Sequence, residues 1–140
     1  MLLVDDNRDG LKARKSLLEE QGFVITTATN GEEGLEALTK AEFDLMVTDF
    51  KMPRMDGVEL IRRAKPLQPN LLIVLLSGFA VALGLDERST GADVVISKGN
   101  NEISYLLRAV SRLLARKAAR RPPVSQRNAR AKPKAKANTV

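Results

Sequence analysis

The 140-residue sequence contains no cysteine, no histidine and no tryptophan, and aromatic residues make up only 4% of it. Without cysteine the chain forms no disulfide and offers no thiolate ligand, and without histidine it has no imidazole to bind a transition metal or act as a general base. These absences exclude zinc sites of the usual kind and nucleophilic mechanisms that depend on a histidine base. Any metal that binds must be a hard cation held by oxygen atoms.

Long hydrophobic runs are also missing. The longest unbroken apolar run extends from Leu71 to Leu76, which is far short of the roughly 20 residues that a membrane-spanning helix needs. Asp5 directly follows the short apolar segment from Met1 to Val4, so we expect no secretory signal either. The sequence therefore predicts a cytoplasmic protein that does not bind membranes.

Charge is distributed unevenly along the chain. Nine of the 23 lysines and arginines follow Ala115 and no acid does, whereas the preceding part carries 14 basic and 17 acidic residues. We therefore predict one domain over residues 1–116 and a basic tail over residues 117–140. Because the tail is rich in Ala, Lys, Arg and Pro and shows no hydrophobic periodicity, we predict that it is disordered. Such a tail is most often simply solvated, although its charge also allows an attraction to nucleic acid.

Hydrophobic patterning predicts five strands that alternate with five helices. The predicted strands are Leu2–Val4, Phe23–Ala28, Leu45–Thr48, Leu71–Leu76 and Val94–Ile96. Alternation of this kind predicts an α/β protein with a parallel sheet that is covered by helices on both faces.

The helices differ in how clearly the sequence marks them. Asn7 is expected to cap the first helix, the second is expected to start at Asn30 to Glu33, and Asp56 should open the third. Asn100 and Asn101 are possible caps of the last helix. The first helix has an inner face of Leu11, Leu17 and Leu18 with Ala13 between them, and Pro66 should stop the third helix. One helix is predicted within Phe79–Thr90 although Gly84 interrupts it, and the last helix has its apolar residues at regular spacings from Ile103 to Leu114.

Polar side chains follow four of the five predicted strands. Asp5 and Asp6 follow the first strand, Asp49 the third, Ser77 the fourth and Lys98 the fifth. The carboxyl ends of parallel strands meet at one edge of the sheet, where such folds bind their ligands. Taken singly, these residues could be a helix cap, a turn or a surface lysine, but their joint occurrence favours a shared site.

Three carboxylates at one edge repel one another and would be stabilised by a divalent cation such as Mg²⁺. A lysine and a hydroxyl beside them would neutralise the oxygens of a phosphoryl group, which is what phosphoryl transfer requires. A carboxylate in that position can act as a nucleophile and carry the phosphoryl group as an acyl phosphate. The sequence thus predicts a magnesium-dependent phosphoacceptor site.

The same residues resemble the receiver domain of two-component response regulators over roughly Leu2 to Leu114. The most specific matches are the acid pair Asp5-Asp6, the run Asp49, Met52, Pro53, Met55, Asp56, Gly57, the step Ser77-Gly78, and Gly91-Ala92-Asp93 leading to Lys98. The resemblance implies a flavodoxin-like (βα)5 fold with strand order 2-1-3-4-5.

The resemblance also implies roles for the site residues. Asp49 would receive a phosphoryl group from a phosphohistidine of a histidine kinase or phosphotransfer protein acting in trans, and Ser77 and Lys98 would contact the phosphoryl oxygens. The switch would change the affinity for a downstream protein. The chain would then be a stand-alone receiver and not an enzyme.

For the metal, the resemblance implies that Asp6, Asp49 and the main-chain carbonyl of Lys51 bind Mg²⁺ directly and that Asp5 acts mainly through water. Lys51 bears on an alternative as well. Phosphohydrolases that form an aspartyl phosphate carry a second aspartate two residues after the nucleophile, and here that position is Lys51. A basic protein that associates with DNA through its tail is the other alternative.

Some positions depart from the receiver pattern. Val95 occupies the position where many receivers have an aromatic switch residue, and Gly99 stands where proline is usual. Lys51 and Phe79, each two residues beyond a site residue, are expected to flank the phosphorylation site and to govern the access of water.

Overall fold

The computed structural model describes residues 1–119, and the disorder predicted for the rest of the tail lies outside the described residues. The described strands are β1 (Leu2–Val4), β2 (Thr26–Ala28), β3 (Leu45–Asp49), β4 (Leu72–Ser77) and β5 (Val94–Ser97). The described helices are α1 (Arg8–Glu20), α2 (Gly31–Lys40), α3 (Gly57–Leu67), α4 (Ala80–Leu83), α5 (Glu87–Thr90) and α6 (Glu102–Ala119). Helix α6 thus includes residues 117–119, which the sequence assigns to the tail.

The five strands form one parallel sheet in the order β2-β1-β3-β4-β5, as predicted. Side chains alternate across the sheet, so that Leu2 and Val4 of β1 belong to one hydrophobic cluster and Leu3 to the other. The first cluster is completed by α2 and α3 through residues such as Leu60, and the second by α1 and α6 through residues such as Val110. The carboxyl ends of the strands therefore meet at one edge between two helical layers.

The cap predicted at Asn7 and the helix starts predicted at Asn30 and Asp56 are confirmed. The side chains of Asn7, Asn30 and Asp56 each accept a hydrogen bond from the backbone N–H three residues further along, at 3.0, 2.8 and 2.9 Å. Pro66 does not stop α3 where the sequence places the end, because the helix continues through Leu67 with the proline in its last turn. Among the helices of residues 1–119, we find none with the length and hydrophobicity that crossing a bilayer requires.

Strand β2 is shorter than predicted. The sequence predicts a strand from Phe23, but the ladder begins at Thr26, which pairs with Leu2. Because β1 itself starts at Leu2, residues 23–25 have no neighbouring strand to pair with, and Val24 is left 84% exposed.

The single helix predicted within Phe79–Thr90 is wrong. Gly84 adopts a left-handed conformation with φ of 66° and closes α4, where the N–H of Leu85 bonds to the carbonyl of Ala80. The side chain of Asp86 then caps α5. The segment between β4 and β5 is therefore two short helices joined by a turn that glycine favours.

Candidate phosphoacceptor and metal site

The candidate site lies at the carboxyl edge of the sheet, where β3 and β4 end. Asp49 is the last residue of β3 and is 6% exposed, and Ser77 is the last residue of β4 and is fully covered. The chain leaving β3 turns sharply, since the N–H of Gly57 bonds to the carbonyl of Phe50 at 2.7 Å. A Cβ atom on Gly57 would lie 2.4 Å from the main-chain oxygen of Asp49, so glycine is required for this turn.

Three carboxylates converge at this edge. Asp5, Asp6 and Asp49 each offer an oxygen, and the three oxygens lie within 4.8 Å of one another. Asp5 and Asp49 are buried, whereas Asp6 is exposed. A set of clustered carboxylate oxygens suits a hard divalent cation such as Mg²⁺, because it would offset the repulsion among the acids. The residues present therefore fit the predicted metal.

Lys98 binds the predicted phosphoacceptor directly. Its Nζ lies 2.5 Å from Oδ1 of Asp49, and its backbone N–H bonds to the carbonyl of Ser77 at 3.0 Å. Burial raises the pKa of the Asp49 carboxyl above its ordinary value, and the hydrogen bond and charge of Lys98 only partly oppose this effect. Repulsion from Asp5 raises the pKa further. The raised pKa of Asp49 therefore reflects burial first, and Lys98 offsets only part of that effect.

These groups open into a pocket of about 580 Å³. Its walls contain all the predicted site residues except Asp5, which lies beneath the others: Asp6, Asn7, Asp49, Lys51, Met52, Pro53, Ser77, Gly78, Phe79 and Lys98. The Oγ of Ser77 accepts a hydrogen bond from the N–H of Phe79 at 2.9 Å. The pocket thus brings a carboxylate, a hydroxyl and an amine together in one cavity.

Lys51 and Phe79 both line this pocket. The Nζ of Lys51 lies 5.4 Å from the centre of the Phe79 ring, within the range of a cation–π contact, and the phenylalanine is 42% exposed. The two side chains that the sequence places beside the site are therefore in contact with each other.

Arg14 is the residue that sequence reasoning missed. The predicted inner face of α1 includes Ala13, but Ala13 is exposed and Arg14 is buried between Leu11 and Leu18. The spacing of 11, 14 and 18 is a helical stripe, which marks position 14 as inward-facing but does not reveal the acids that allow a charge to be buried there.

The guanidinium of Arg14 joins two acids. It forms an ion pair with Asp5, and its Nε and Nη2 bond to Oε2 of Glu102 at 2.7 and 2.6 Å. Burial alone would lower the pKa of Arg14, but the hydrogen bonds and charges of Glu102 and Asp5 outweigh it and raise that pKa above its ordinary value. The buried end of the acidic cluster therefore contains a permanent cation.

Comparison with known proteins identifies the family. A family model described as the response regulator receiver domain matches residues 1–110. The response regulator receiver protein CpdR of Brucella abortus (strain 2308) is 39% identical over 99 residues, which cover 70% of this chain and 82% of CpdR. The transcriptional regulatory protein GlrR of Escherichia coli (strain K12) is 35% identical over 77 residues, but these cover 55% of this chain and only 17% of GlrR.

Solved structures show the same fold. A response regulator receiver domain protein from Clostridium thermocellum has a TM-score of 0.74 and 28% identity, with coverage of 84% of this chain and 95% of that one. The response regulator TrrA from Thermotoga maritima, crystallised in complex with Mg(2+)-BeF, has a TM-score of 0.72 and 31% identity over 80% of this chain and 96% of its own. With the matched sequence, the parallel sheet and the acidic pocket in agreement, the chain belongs to the receiver domain family of two-component response regulators.

Proposed function

We propose that this chain is a phosphorylation-controlled switch in which Asp49 accepts a phosphoryl group from a histidine kinase or phosphotransfer protein. The observation that carries the proposal is the arrangement around Asp49, a buried carboxylate that contacts Lys98 and lies beside two further acids. No histidine is present in the sequence, so the phosphohistidine donor lies outside these 140 residues.

The transfer converts one covalent bond into another. An oxygen of Asp49 attacks the phosphorus, the phosphorus–nitrogen bond of the phosphohistidine breaks, and the imidazole nitrogen keeps the electron pair and takes a proton from solvent. Lys98 moves from Asp49 to a phosphoryl oxygen, which then carries the negative charge that the lysine faces. The hydroxyl of Ser77 donates to a second phosphoryl oxygen.

Mg²⁺ is the cofactor we propose for this site. Asp5, Asp6, Asp49 and the main-chain carbonyl of Lys51 would hold it, with Asp5 acting mainly through water. When bound, the ion would neutralise charge on the acids and on the phosphoryl oxygens. The acidic cluster and the structural relative TrrA, which was crystallised with Mg(2+)-BeF, support this proposal.

The output is a changed affinity for a downstream protein and not turnover of a substrate. A phosphohydrolase would place an acidic catalyst two residues beyond Asp49, but that position is Lys51, a wall of the pocket. This arrangement favours storage of the phosphoryl group over its rapid release.

A spectroscopic experiment tests the phosphoacceptor directly. The full chain is labelled with ¹⁵N, and amide spectra are recorded with Mg²⁺ alone and with Mg²⁺ and beryllofluoride. We expect beryllofluoride to shift the amides of Ser77 and Lys98 in the wild type and to leave them unmoved in Asp49→Asn. If acetyl phosphate and competent histidine kinases both leave the wild-type chain unmodified by mass spectrometry, the proposal is wrong.

Association with nucleic acid is a second candidate function, favoured by one feature of α6. Arg108, Arg112 and Arg116 are all exposed at a spacing of four residues, and after Glu102 the sequence of α6 contains no acid. These arginines precede the basic tail, and such a series can contact phosphates without reading bases. Retention on DNA that weakens with salt and does not depend on Asp49 would support this function. Equal retention after deletion of residues 120–140, without salt dependence, would contradict it.

A further inference from the structure

A buried arginine lies against a group of acids that must attract a cation. Arg14 is 9% exposed and lies between Asp5, which follows β1, and Glu102 in the first turn of α6. Phosphoryl transfer to Asp49 does not require a cation at this place, because Lys98 already faces the reacting carboxylate. The position of Arg14 therefore needs an explanation of its own.

The hydrogen bonds of this arginine fix Asp5 in one orientation. Nη1 of Arg14 donates a hydrogen bond to Oδ2 of Asp5, and the backbone N–H of Asn7 donates one to Oδ1 at 2.9 Å. Gly10 packs close to this ion pair, since a Cβ there would lie 3.3 Å from Arg14 Nη1 and 3.4 Å from Asp5 Oδ2. Both oxygens of Asp5 are thus committed before any metal arrives.

Glu102 divides the charge of this arginine between two partners. The carboxylate of Glu102 accepts hydrogen bonds from both Nε and Nη2 of Arg14, and the Glu102 side chain is 13% exposed. The cation therefore offsets Asp5 only in part, because a second acid on its far side also attracts it. At these short, poorly solvated distances each unit charge has a large effect on a divalent ion.

We propose that Arg14 is a positioning residue that sets the Mg²⁺ affinity of the acidic cluster, with Glu102 limiting its effect. Arg14 holds Asp5 and repels the metal, and Glu102 reduces that repulsion. The inference rests on the proposed function, because it takes the cluster to be the magnesium site. Its consequence is that the cluster stays partly neutralised without metal and requires a higher Mg²⁺ concentration to fill.

Removing the charge of Arg14 and removing that of Glu102 should change the Mg²⁺ affinity in opposite directions. This difference distinguishes the proposed role from a purely structural bridge. Arg14→Met replaces the arginine with an uncharged, unbranched side chain of similar length and leaves the acids more attractive to Mg²⁺. Glu102→Gln removes the second acid that shares the charge of Arg14. The full charge then acts on Asp5 and makes the acidic cluster less attractive to Mg²⁺. A bridge that served only to hold α1 and α6 together would be broken by either change and would respond in the same direction.

The experiment is a Mg²⁺ titration of the full chain followed by amide NMR, with the shifts of Asp6 and Asp49 giving a dissociation constant for each variant. We expect Arg14→Met to bind roughly tenfold more tightly than the wild type and Glu102→Gln roughly threefold more weakly. The double variant Arg14→Met with Glu102→Gln, which restores the net charge, should lie between Arg14→Met and the wild type, roughly threefold tighter than the wild type. The dispersion of each spectrum reports whether the variant is folded.

Equal dissociation constants in all four proteins, or a weakening in both single variants, would overturn the inference while leaving the magnesium site intact. Failure of the wild type to show any Mg²⁺-dependent shift at Asp6 or Asp49 would instead overturn the proposed function and the inference together. If Arg14→Met does not fold, Glu102→Gln still decides the sign, since it retains the ion pair between Arg14 and Asp5. Tighter binding by Glu102→Gln would contradict the inference.

Discussion

The two sides of Asp49 are built in opposite ways. Towards β1, the carboxylate faces Asp5, which is covered and held by a buried arginine. It also lines a pocket together with Lys51 and Phe79, which are exposed and contact each other through a cation–π interaction and form the open side of the site. Charges on the covered side interact strongly because little water screens them, whereas charges on the open side are screened.

This difference separates two properties of the site. The covered side is suited to setting the strength of the repulsion among the carboxylates and their affinity for a metal ion, because its groups cannot move or become solvated easily. The open side is suited to controlling what reaches Asp49, because its long side chains stand between the pocket and solvent. Changes on the covered side should therefore affect stability most, and changes on the open side should affect the rate of reaction with water.

The largest effect is expected at buried Gly57 in the turn after β3, where no room is left for a side chain. In Gly57→Ala the new Cβ would lie 2.4 Å from the Asp49 carbonyl oxygen and 2.8 Å from a Leu75 methyl, so the turn after β3 must shift. We expect a loss of about 3 kcal/mol in the free energy of unfolding, measured by urea denaturation.

The matched control for that change is Gly78→Ala on the open side. No atom lies within 4 Å of the position a Cβ would take at Gly78, so a loss well below 1 kcal/mol is expected, as for other surface changes. Similar losses in the two variants would contradict the contrast between the covered and open sides.

A smaller effect is expected from removing the charge of Asp49. Burial raises the pKa of this carboxyl in the folded protein. Its protonated form therefore contributes stability that is fully present below the ordinary pKa of 3.8 and is lost as pH rises through the folded pKa. At neutral pH the wild type therefore bears the cost of a buried carboxylate that asparagine does not carry. We expect Asp49→Asn to raise the midpoint of thermal unfolding at pH 7 by roughly 3 °C in the presence of EDTA.

The pH dependence identifies the cause of that stabilisation. The advantage of Asp49→Asn should shrink as pH falls through the raised pKa of the wild-type carboxyl towards the ordinary value of 3.8. Glu20→Gln, an exposed change at the end of α1, serves as the control and should show no such trend. A lower midpoint for Asp49→Asn at pH 7 would mean that its ion pair with Lys98 outweighs the cost of burial.

The residues at the strand ends could be predicted because one rule places them. Asp5, Asp49, Ser77 and Lys98 each follow a recognisable strand, and parallel strands bring their carboxyl ends to a common edge. The N-caps were predictable for a similar reason, since each depends on a side chain and a backbone N–H only three residues apart.

What could not be predicted depends on contacts between distant segments. Arg14 is buried only because Asp5 and Glu102 arrive on either side of it, and a charged residue in a helix is ordinarily exposed. The start of β2 is set by the first residue of β1, with which it pairs. The division of the segment between β4 and β5 depends on the left-handed turn at Gly84, where the sequence shows a glycine but not its conformation.

The smallest effect is expected on the open side, from Lys51→Asn. The lysine side chain lies over the Phe79 ring at the pocket wall, and asparagine is too short to reach that ring. Water should then approach the acyl phosphate on Asp49 more easily, so the phosphorylated form should decay a few-fold faster without a change in unfolding free energy. Decay is followed by phosphorylating both proteins with acetyl phosphate, removing the donor and measuring the remaining phosphoprotein by mass spectrometry.

Lys40→Asn is the matched control for that decay experiment, because Lys40 is an exposed lysine on α2 whose partner is Glu36. It removes the same charge from the protein but lies outside the pocket wall, so its decay rate should equal that of the wild type. Equal decay in Lys51→Asn and the wild type would show that the lysine does not limit access of water. Equal acceleration in both lysine variants would assign the effect to net charge and remove the distinction between the open side and the rest of the surface.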